Sequence, residues 1–315
     1  MTDHVLLGRS RISVSRLAFG TLTVSPLQKG FSVARAQALF IAAYEMGITF
    51  FDTAQLYQTY KPLKGLLKRH PEAVIATKSY AYNLSSARDA FDEARRELDK
   101  DVIDIFLLHE QESRETMRGH REAFDFYLSM KACGLIRAVG ISTHCIDAVD
   151  FAPRYPGLDI LHPLINLTGV GIRNGTRDKM AAAIGRAHDA GIGVYSMKAL
   201  GGGHLYRTPG DAFTYLSELG SIDAIAVGMQ SEEEMAVNIA LLDGCQPDDA
   251  SLLACQNRDR HLLFQDWCSG CGQCVRRCTQ TAIRLQEGKA VVDHDRCLLC
   301  GYCATVCDHY CIKVV

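Results

Sequence analysis

Eight cysteines near the end of the chain fall into two copies of one spacing. Cys268, Cys271, Cys274 and Cys278 form a C-x2-C-x2-C-x3-C run, and Cys297, Cys300, Cys303 and Cys307 repeat it. Thiolates at this spacing suit 4Fe–4S clusters, which pass electrons singly. Zinc sites more often pair separate C-x2-C pieces. Disulfides belong to exported chains, and the start Met1-Thr2-Asp3-His4 carries no charged segment followed by an apolar one. The tail is therefore expected to move electrons. Cys133, Cys145, Cys245 and Cys255, in the body, are expected to be small buried or half-buried residues. Cys311 falls in a segment, 310–315, that reads as a final strand.

A second set of reactive side chains lies upstream. Asp52, Lys78, His109, Ser142 and Lys198 each stand at the C-terminal end of a short apolar run. The runs occupy 17–21, 49–53, 73–78, 103–109, 138–142, 160–165, 193–198 and 224–228, with helix-length segments between them. Continuous apolar runs of this kind are parallel strands buried on both faces. Eight strand–helix units predict an α/β fold, a (β/α)8 TIM barrel, whose active site is built at the C-terminal ends of its strands. Five polar side chains at one rim are more than a solvated edge explains. Ahead of the barrel, residues 4–15 read as a hairpin plugging its bottom.

The tail has an internal repeat, because every cysteine of the first run recurs at a constant offset in the second. Residues 282–292 alternate around Glu287-Gly288, a hairpin signal. Residues 251–264 read as a helix leading into the tail. The expected domains are a barrel over 1–243, a linker and helix over 244–266, and a small α+β cluster-binding domain over 267–315. The whole chain of 315 residues is 48% hydrophobic and 22% charged, with a formal net charge of -2. That is an ordinary globular balance, and it gives no reason to expect nucleic acid or an anionic membrane as partner. No segment approaches the ~18 apolar residues a membrane span needs. The expected compartment is the cytoplasm.

The segment Asp52-Thr53-Ala54-Gln55-Leu56-Tyr57 resembles the D-T-A-x-x-Y motif of the aldo-keto reductases. Lys78 and His109 end the third and fourth strands as that family requires, and Gly140-Ile141-Ser142 and the 228–238 segment resemble further landmarks. The resemblance spans about residues 5–243, and the tail resembles a two-cluster ferredoxin. Together they are similar to aldo-keto reductases with a fused 4Fe–4S module.

The resemblance implies a catalytic set of Tyr57, Lys78, Asp52 and His109. A free tyrosine, with a pKa near ~10, is a feeble acid at neutral pH. A neighbouring ammonium lowers that value, and a carboxylate keeps the ammonium in place. Tyr57 is the expected general acid, tuned by Lys78 and anchored through Asp52, with His109 orienting the substrate oxygen. For NAD(H) or NADP(H) it implies contacts from Gly20, Thr21, Ser142, Thr143, His162, Tyr195, Ser196, Gly228, Ser231, Glu234 and Asn238, with Tyr195 stacking on the nicotinamide. Thr143 stands where the family has Asn, and His162 where it has Gln; His162 reads equally as a core residue. Glu234 stands where NADPH users have Arg, so no cation for a 2′-phosphate is visible. Glu234 suits a ribose hydroxyl, or a capping box with Ser231. Gly201-Gly202-Gly203 reads as a loop over a pyrophosphate or as a loose turn.

The crossed pattern of ferredoxins implies that Cys268, Cys271, Cys274 and Cys307 hold one cluster and Cys297, Cys300, Cys303 and Cys278 the other. The proline that usually follows the fourth cysteine is replaced by Thr279 and Asp308. The expected function is an oxidoreductase acting on a small carbonyl or alcohol, with the clusters relaying electrons to or from a carrier such as a ferredoxin or flavodoxin. Direct reduction of the substrate by the clusters without nicotinamide, and a non-catalytic redox-sensing scaffold, are the competing expectations. The module is expected near the rim, where it would wall the pocket.

Overall fold

A computed structural model describes residues 3–315. Strands β1 (His4–Leu7) and β2 (Ile12–Ser15) form an antiparallel hairpin. Eight parallel strands follow: β3 (Leu17–Gly20), β4 (Phe50–Asp52), β5 (Val74–Ser79), β6 (Ile103–Leu108), β7 (Ile136–Thr143), β8 (Ile160–Pro163), β9 (Gly193–Ser196) and β10 (Ala224–Val227). They close in sequence order, with β10 pairing back onto β3. All eight apolar runs are thus barrel strands.

Strand periodicity decides which side chains enter the barrel. Successive residues of a strand point to opposite faces. Phe50, Val74, Ala76, Ile105, Leu107, Ala138, Ile160 and Tyr195 pack in the interior cluster. Phe51, Ile75, Phe106, Leu108, Val139 and Leu161 pack in the outer layer against the helices. Counting on by two from the interior set puts Asp52, Lys78, His109, Ser142 and His162 inward at the rim. Leu7, Ile12 and Val14 of the hairpin join the same interior cluster, so the hairpin closes the opposite end.

The helices form the outer ring. In Leu84–Leu98, Ala87, Ala90, Phe91, Ala94 and Leu98 make the buried stripe expected of an amphipathic helix. Asn83 caps its first turn by accepting from the Ser86 amide at 2.9 Å, and Asp99 ends it in the left-handed conformation.

The tail is built on two pairs of short strands. The 251–264 segment departs from the expected single helix: a helix covers Asp249–Gln256, and Leu262–Phe264 forms strand β11. The hairpin of β12 (Ile283–Gln286) and β13 (Lys289–Val292) turns at Glu287-Gly288, both with positive φ. The last strand, β14 (Ile312–Val314), pairs antiparallel with β11. Pairing within this sheet explains why residues 262–264 leave the helix: their backbone donors and acceptors are met by the chain end. Of the four body cysteines, Cys145 is buried and Cys255 half-buried, but Cys133 and Cys245 are exposed, contrary to expectation. No described helix is long and apolar enough to cross a membrane.

Candidate active site

Lys78 and Asp52 form a buried ion pair at the rim. Lys78 Nζ lies 2.8 Å from Asp52 Oδ1 and 2.9 Å from Oδ2, and donates to the Thr53 carbonyl at 2.7 Å. Asp52 Oδ1 also accepts from the Tyr195 hydroxyl at 2.9 Å. Tyr57 follows on the short turn Gln55–Tyr57, with Lys78 Nζ 5.0 Å from its ring centre. Its ring and the His109 imidazole meet edge to face at 5.8 Å, and Tyr80 stacks on that imidazole at 4.4 Å. The four expected residues are therefore gathered in one place.

Their electrostatics differ from the simple expectation. Burial pushes the Tyr57 phenol well above its usual range, and the Asp52 and Glu110 carboxylates push the same way. The Lys78 ammonium is answered by Asp52, so the surroundings keep the phenol protonated. Burial, then the Lys78 charge, hold His109 well below the usual imidazole value. A neutral His109 donates one proton and accepts at the other nitrogen; its buried Nδ1 has no hydrogen-bond partner among the described residues.

A groove of about 200 Å³ runs from Asp52, Tyr57 and His162 past Gly202-Gly203 to Glu234 and Asn238. Gly20 and Gly228 also line it. Other expected nucleotide contacts face elsewhere. Tyr195 is wholly buried: His162 stacks on it at 3.9 Å and Phe50 meets its ring at 5.0 Å. His162, whose Nδ1 lies 2.7 Å from the Tyr195 carbonyl oxygen, lines the groove in its place, together with Tyr57 and Tyr206. Ser142 Oγ accepts from the Glu110 amide, and Thr143 Oγ1 bonds to the backbone of Cys145. Thr21 Oγ1 bonds to Thr59, while Ser196 Oγ is buried without a partner among the described residues.

At the far end, Ser231 caps the helix Glu232–Leu242 by accepting from the Glu234 amide. Glu234 reaches back to the Gln230 amide at 2.8 Å, one residue short of a full capping box. The expected lack of cations is corrected here. Arg258 pairs with Glu234 at 2.9 Å and Arg260 lies 3.8 Å from it. Both arginines come from the stretch before β11, far from the helix in sequence, which is why the local motif gave no sign of them.

A second cavity, of about 430 Å³, meets the groove at Tyr57. Tyr57, Tyr80 and His109 form its barrel wall. Gln265, Trp267, Asp308, His309, Tyr310 and Lys313 form the opposite wall. The tail thus walls the pocket at the rim, as expected. Gly202 and Gly203 are where it docks: a Cβ at Gly203 would stand 2.0 Å from the Val314 carbonyl oxygen, and one at Gly202 would stand 2.7 Å from Tyr310 Oη.

The eight run cysteines surround two small cavities. Cys268, Cys271, Cys274 and Cys307 line one; Cys278, Cys297, Cys300 and Cys303 line the other. The partition is the crossed one. Backbone amides point at the sulfurs, from Ala282 to Cys278, Ala290 to Cys268 and Cys311 to Cys307, at 3.3 to 3.5 Å. Among the described residues, no three His, Cys, Asp or Glu side chains converge on a single-ion site. Four run thiols spread around each hollow, with amides aimed at sulfur, fit a 4Fe–4S cluster; Cys311 adds a fifth thiol to the lining of the first.

The model of the aldo/keto reductase family matches residues 16–220. The chain belongs to that family. The 4Fe-4S dicluster domain matches residues 263–308 of this aldo/keto reductase. The chain is 24% identical to a D-threo-aldose 1-dehydrogenase of a Pseudomonas species over 185 residues, covering 48% of this chain and 56% of that one. It therefore spans little more than half the length of that curated relative. Its tail is 36% identical over 59 residues to a component of the ion-translocating oxidoreductase complex of Methanosarcina acetivorans, covering 19% of this chain and 22% of that component. Among solved structures, the holo form of aldo-keto reductase AKR11C1 from Bacillus halodurans superposes with a TM-score of 0.66 at 18% identity, covering 81% of this chain and 96% of that one. That likeness is one of fold. The chain thus joins an aldo/keto reductase barrel to a 4Fe-4S dicluster domain that follows it in sequence.

Proposed function

We propose that the chain interconverts a small carbonyl compound and its alcohol in the 430 Å³ chamber, with Tyr57 as the proton donor and acceptor. One observation carries this. Trp267, next to Cys268, and Asp308, His309 and Tyr310, next to Cys307, form the wall that faces Tyr57 and His109. His309 lines both the first cysteine cavity and the chamber that holds Tyr57 and His109.

Reduction of a carbonyl takes two electrons and two protons. Two 4Fe–4S clusters, when bound by the eight cysteines, exchange electrons one at a time. Tyr57 keeps its proton until negative charge grows on the substrate oxygen, and His109 Nε2 is available to hold that oxygen. Lys78, fixed by Asp52 and Thr53, places a positive charge beside the same point and favours the phenolate once the proton has left. In this proposal an NAD(H) or NADP(H) in the groove from His162 to Glu234 would supply a hydride, both electrons and one proton, and Tyr57 the second proton; the clusters, served in the cytoplasm by a ferredoxin or flavodoxin, would exchange electrons one at a time with the nucleotide, two electrons and a proton restoring its reduced form.

A specific feature favours a second reading, in which electrons reach the substrate without nicotinamide. Tyr195, the expected stacking ring, is wholly buried, with His162 stacked on it and Phe50 meeting it edge to face. The two readings separate in one experiment on protein purified without oxygen, with about eight irons per chain confirmed first. NADH and NADPH are titrated while cluster absorbance and EPR are followed. Tight nucleotide binding supports the first; cluster reduction by a low-potential carrier with no nucleotide binding supports the second. Tyr57→Phe should cut turnover by about 10²–10⁴-fold in either case, and unchanged turnover would remove Tyr57 from both.

A further inference from the structure

Two lysines without a carboxylate at ion-pair distance stand where the chamber and the groove meet, lining both. Lys313, on β14, is 3% exposed. Its Nζ donates to the Tyr310 carbonyl at 2.6 Å and lies 3.0 Å from the centre of the Tyr310 ring. Lys198, half-buried after β9, reaches to 5.7 Å from the same ring and holds a left-handed backbone, φ 61°. Neither ammonium has a carboxylate within ion-pair distance among the described residues, unlike Lys78, Lys100 and Lys131. The carboxylates that line the chamber, Glu110 and Asp308, are exposed. Glu110 accepts from the Tyr80 hydroxyl, and Asp308 from Gln273.

Neutral donors stand unused in the same place. Gln265 Nε2 and Tyr310 Oη are buried without a hydrogen-bond partner among the described residues, and both side chains line the chamber. Buried polar groups are nearly always paired, and an unpaired buried charge is costlier still. Burial drives the Lys313 ammonium well below its usual range, and Lys198 adds to the effect. An anion arriving between these groups would reverse that penalty and satisfy the idle donors together.

We infer that the chamber takes a carbonyl substrate bearing a carboxylate, held by Lys313 and Lys198 with Gln265 and Tyr310 as supporting donors. A monoanion suits the charges: Glu110 and Asp308 set against Arg173, Lys198 and Lys313 leave one positive charge over. Gln265, Tyr310 and Lys313 all belong to the tail, so the cluster-bearing segment selects the substrate. The inference rests on the chamber being the substrate site proposed above, and its test needs no turnover.

Binding of 4-carboxybenzaldehyde and of its neutral amide is measured by calorimetry on anaerobically purified, cluster-loaded protein without a reductant. The acid should bind about tenfold more tightly than the amide. Lys313→Met and, separately, Lys198→Met should each bring the acid close to the amide. Lys198 is only half-buried, so its variant serves if Lys313→Met does not fold. Equal binding of acid and amide by the unaltered protein overturns the inference. So does an acid preference that survives in folded variants, or variants that weaken only NADH binding, which would assign the lysines to a nucleotide pyrophosphate. A chamber that binds the acid yet shows no turnover would leave this inference standing and count against the proposed reaction.

Discussion

Asp52 Oδ1 is shared by Lys78, at 2.8 Å, and by the hydroxyl of Tyr195, at 2.9 Å. The shared oxygen gives Tyr195 a structural task under the rim. Tyr195→Phe should cost about 1.5–3 kcal/mol, the usual worth of a hydrogen bond to a charged group, and lower the melting temperature measured by calorimetry. Nucleotide affinity should change less than in His162→Ala, since His162 meets the groove and Tyr195 does not. The opposite order would return the stacking role to Tyr195.

The arginines of the linker give a second expectation. With Glu234 holding Arg258 and Arg260, Glu234→Gln should release them and improve NADPH binding relative to NADH by about fivefold, near 1 kcal/mol. Arg260→Ala should shift preference the other way. Fluorescence titration of the two nucleotides reads both, and no change in the ratio would remove the pair from cofactor choice.

Buried histidines set the acid limb of stability. His162 is lowered from 6.5 to about 4, first by burial and against the pull of Asp52; His109 lies well below its usual range. Their folded forms bind a proton less readily than the unfolded chain does. Stability from this source is present above the unfolded value and declines as pH falls from 6.5 toward 4. Melting curves should therefore drop over that window, and His162→Gln should flatten the drop. Tyr57 works at the other limit. Its phenol proton leaves the folded state less readily than the unfolded chain, so stability falls above about pH 10. Turnover in the reducing direction should show no Tyr57 limb between pH 6 and about 9.

The crossed cysteine partition gives two distinguishable losses. Cys278→Ala and Cys307→Ala should each reduce iron from about eight to about four per chain. Cys278→Ala should leave binding in the chamber largely intact, whereas Cys307→Ala disturbs the segment leading to Tyr310. Iron analysis with EPR, alongside 4-carboxybenzaldehyde binding, separates the two.

The barrel was legible because each strand is an apolar run and each rim residue continues its inward period. Asp52, Lys78 and His109 follow from counting by two along β4, β5 and β6. Tyr57 needed the family motif, since it lies on a turn with no period. What stayed hidden depends on contacts between distant segments. Arg258 meets Glu234 only after the linker folds back. Lys313 looked like one residue of a final strand, and nothing local shows that β14 runs beside Gly203. The triple glycine was ambiguous for the same reason: its partner is the end of the chain.

Cys311 Sγ lies 3.4 Å from Cys307 Sγ, and β14 begins at the next residue. A single short segment therefore joins a thiol that lines the first cysteine cavity to the lysine that lines the chamber. Thermodynamic linkage makes such a connection reciprocal: if cluster loading tightens the hold on an anion, the anion must tighten the hold on the cluster by the same factor. Substrate would then protect the iron from chelators and oxygen.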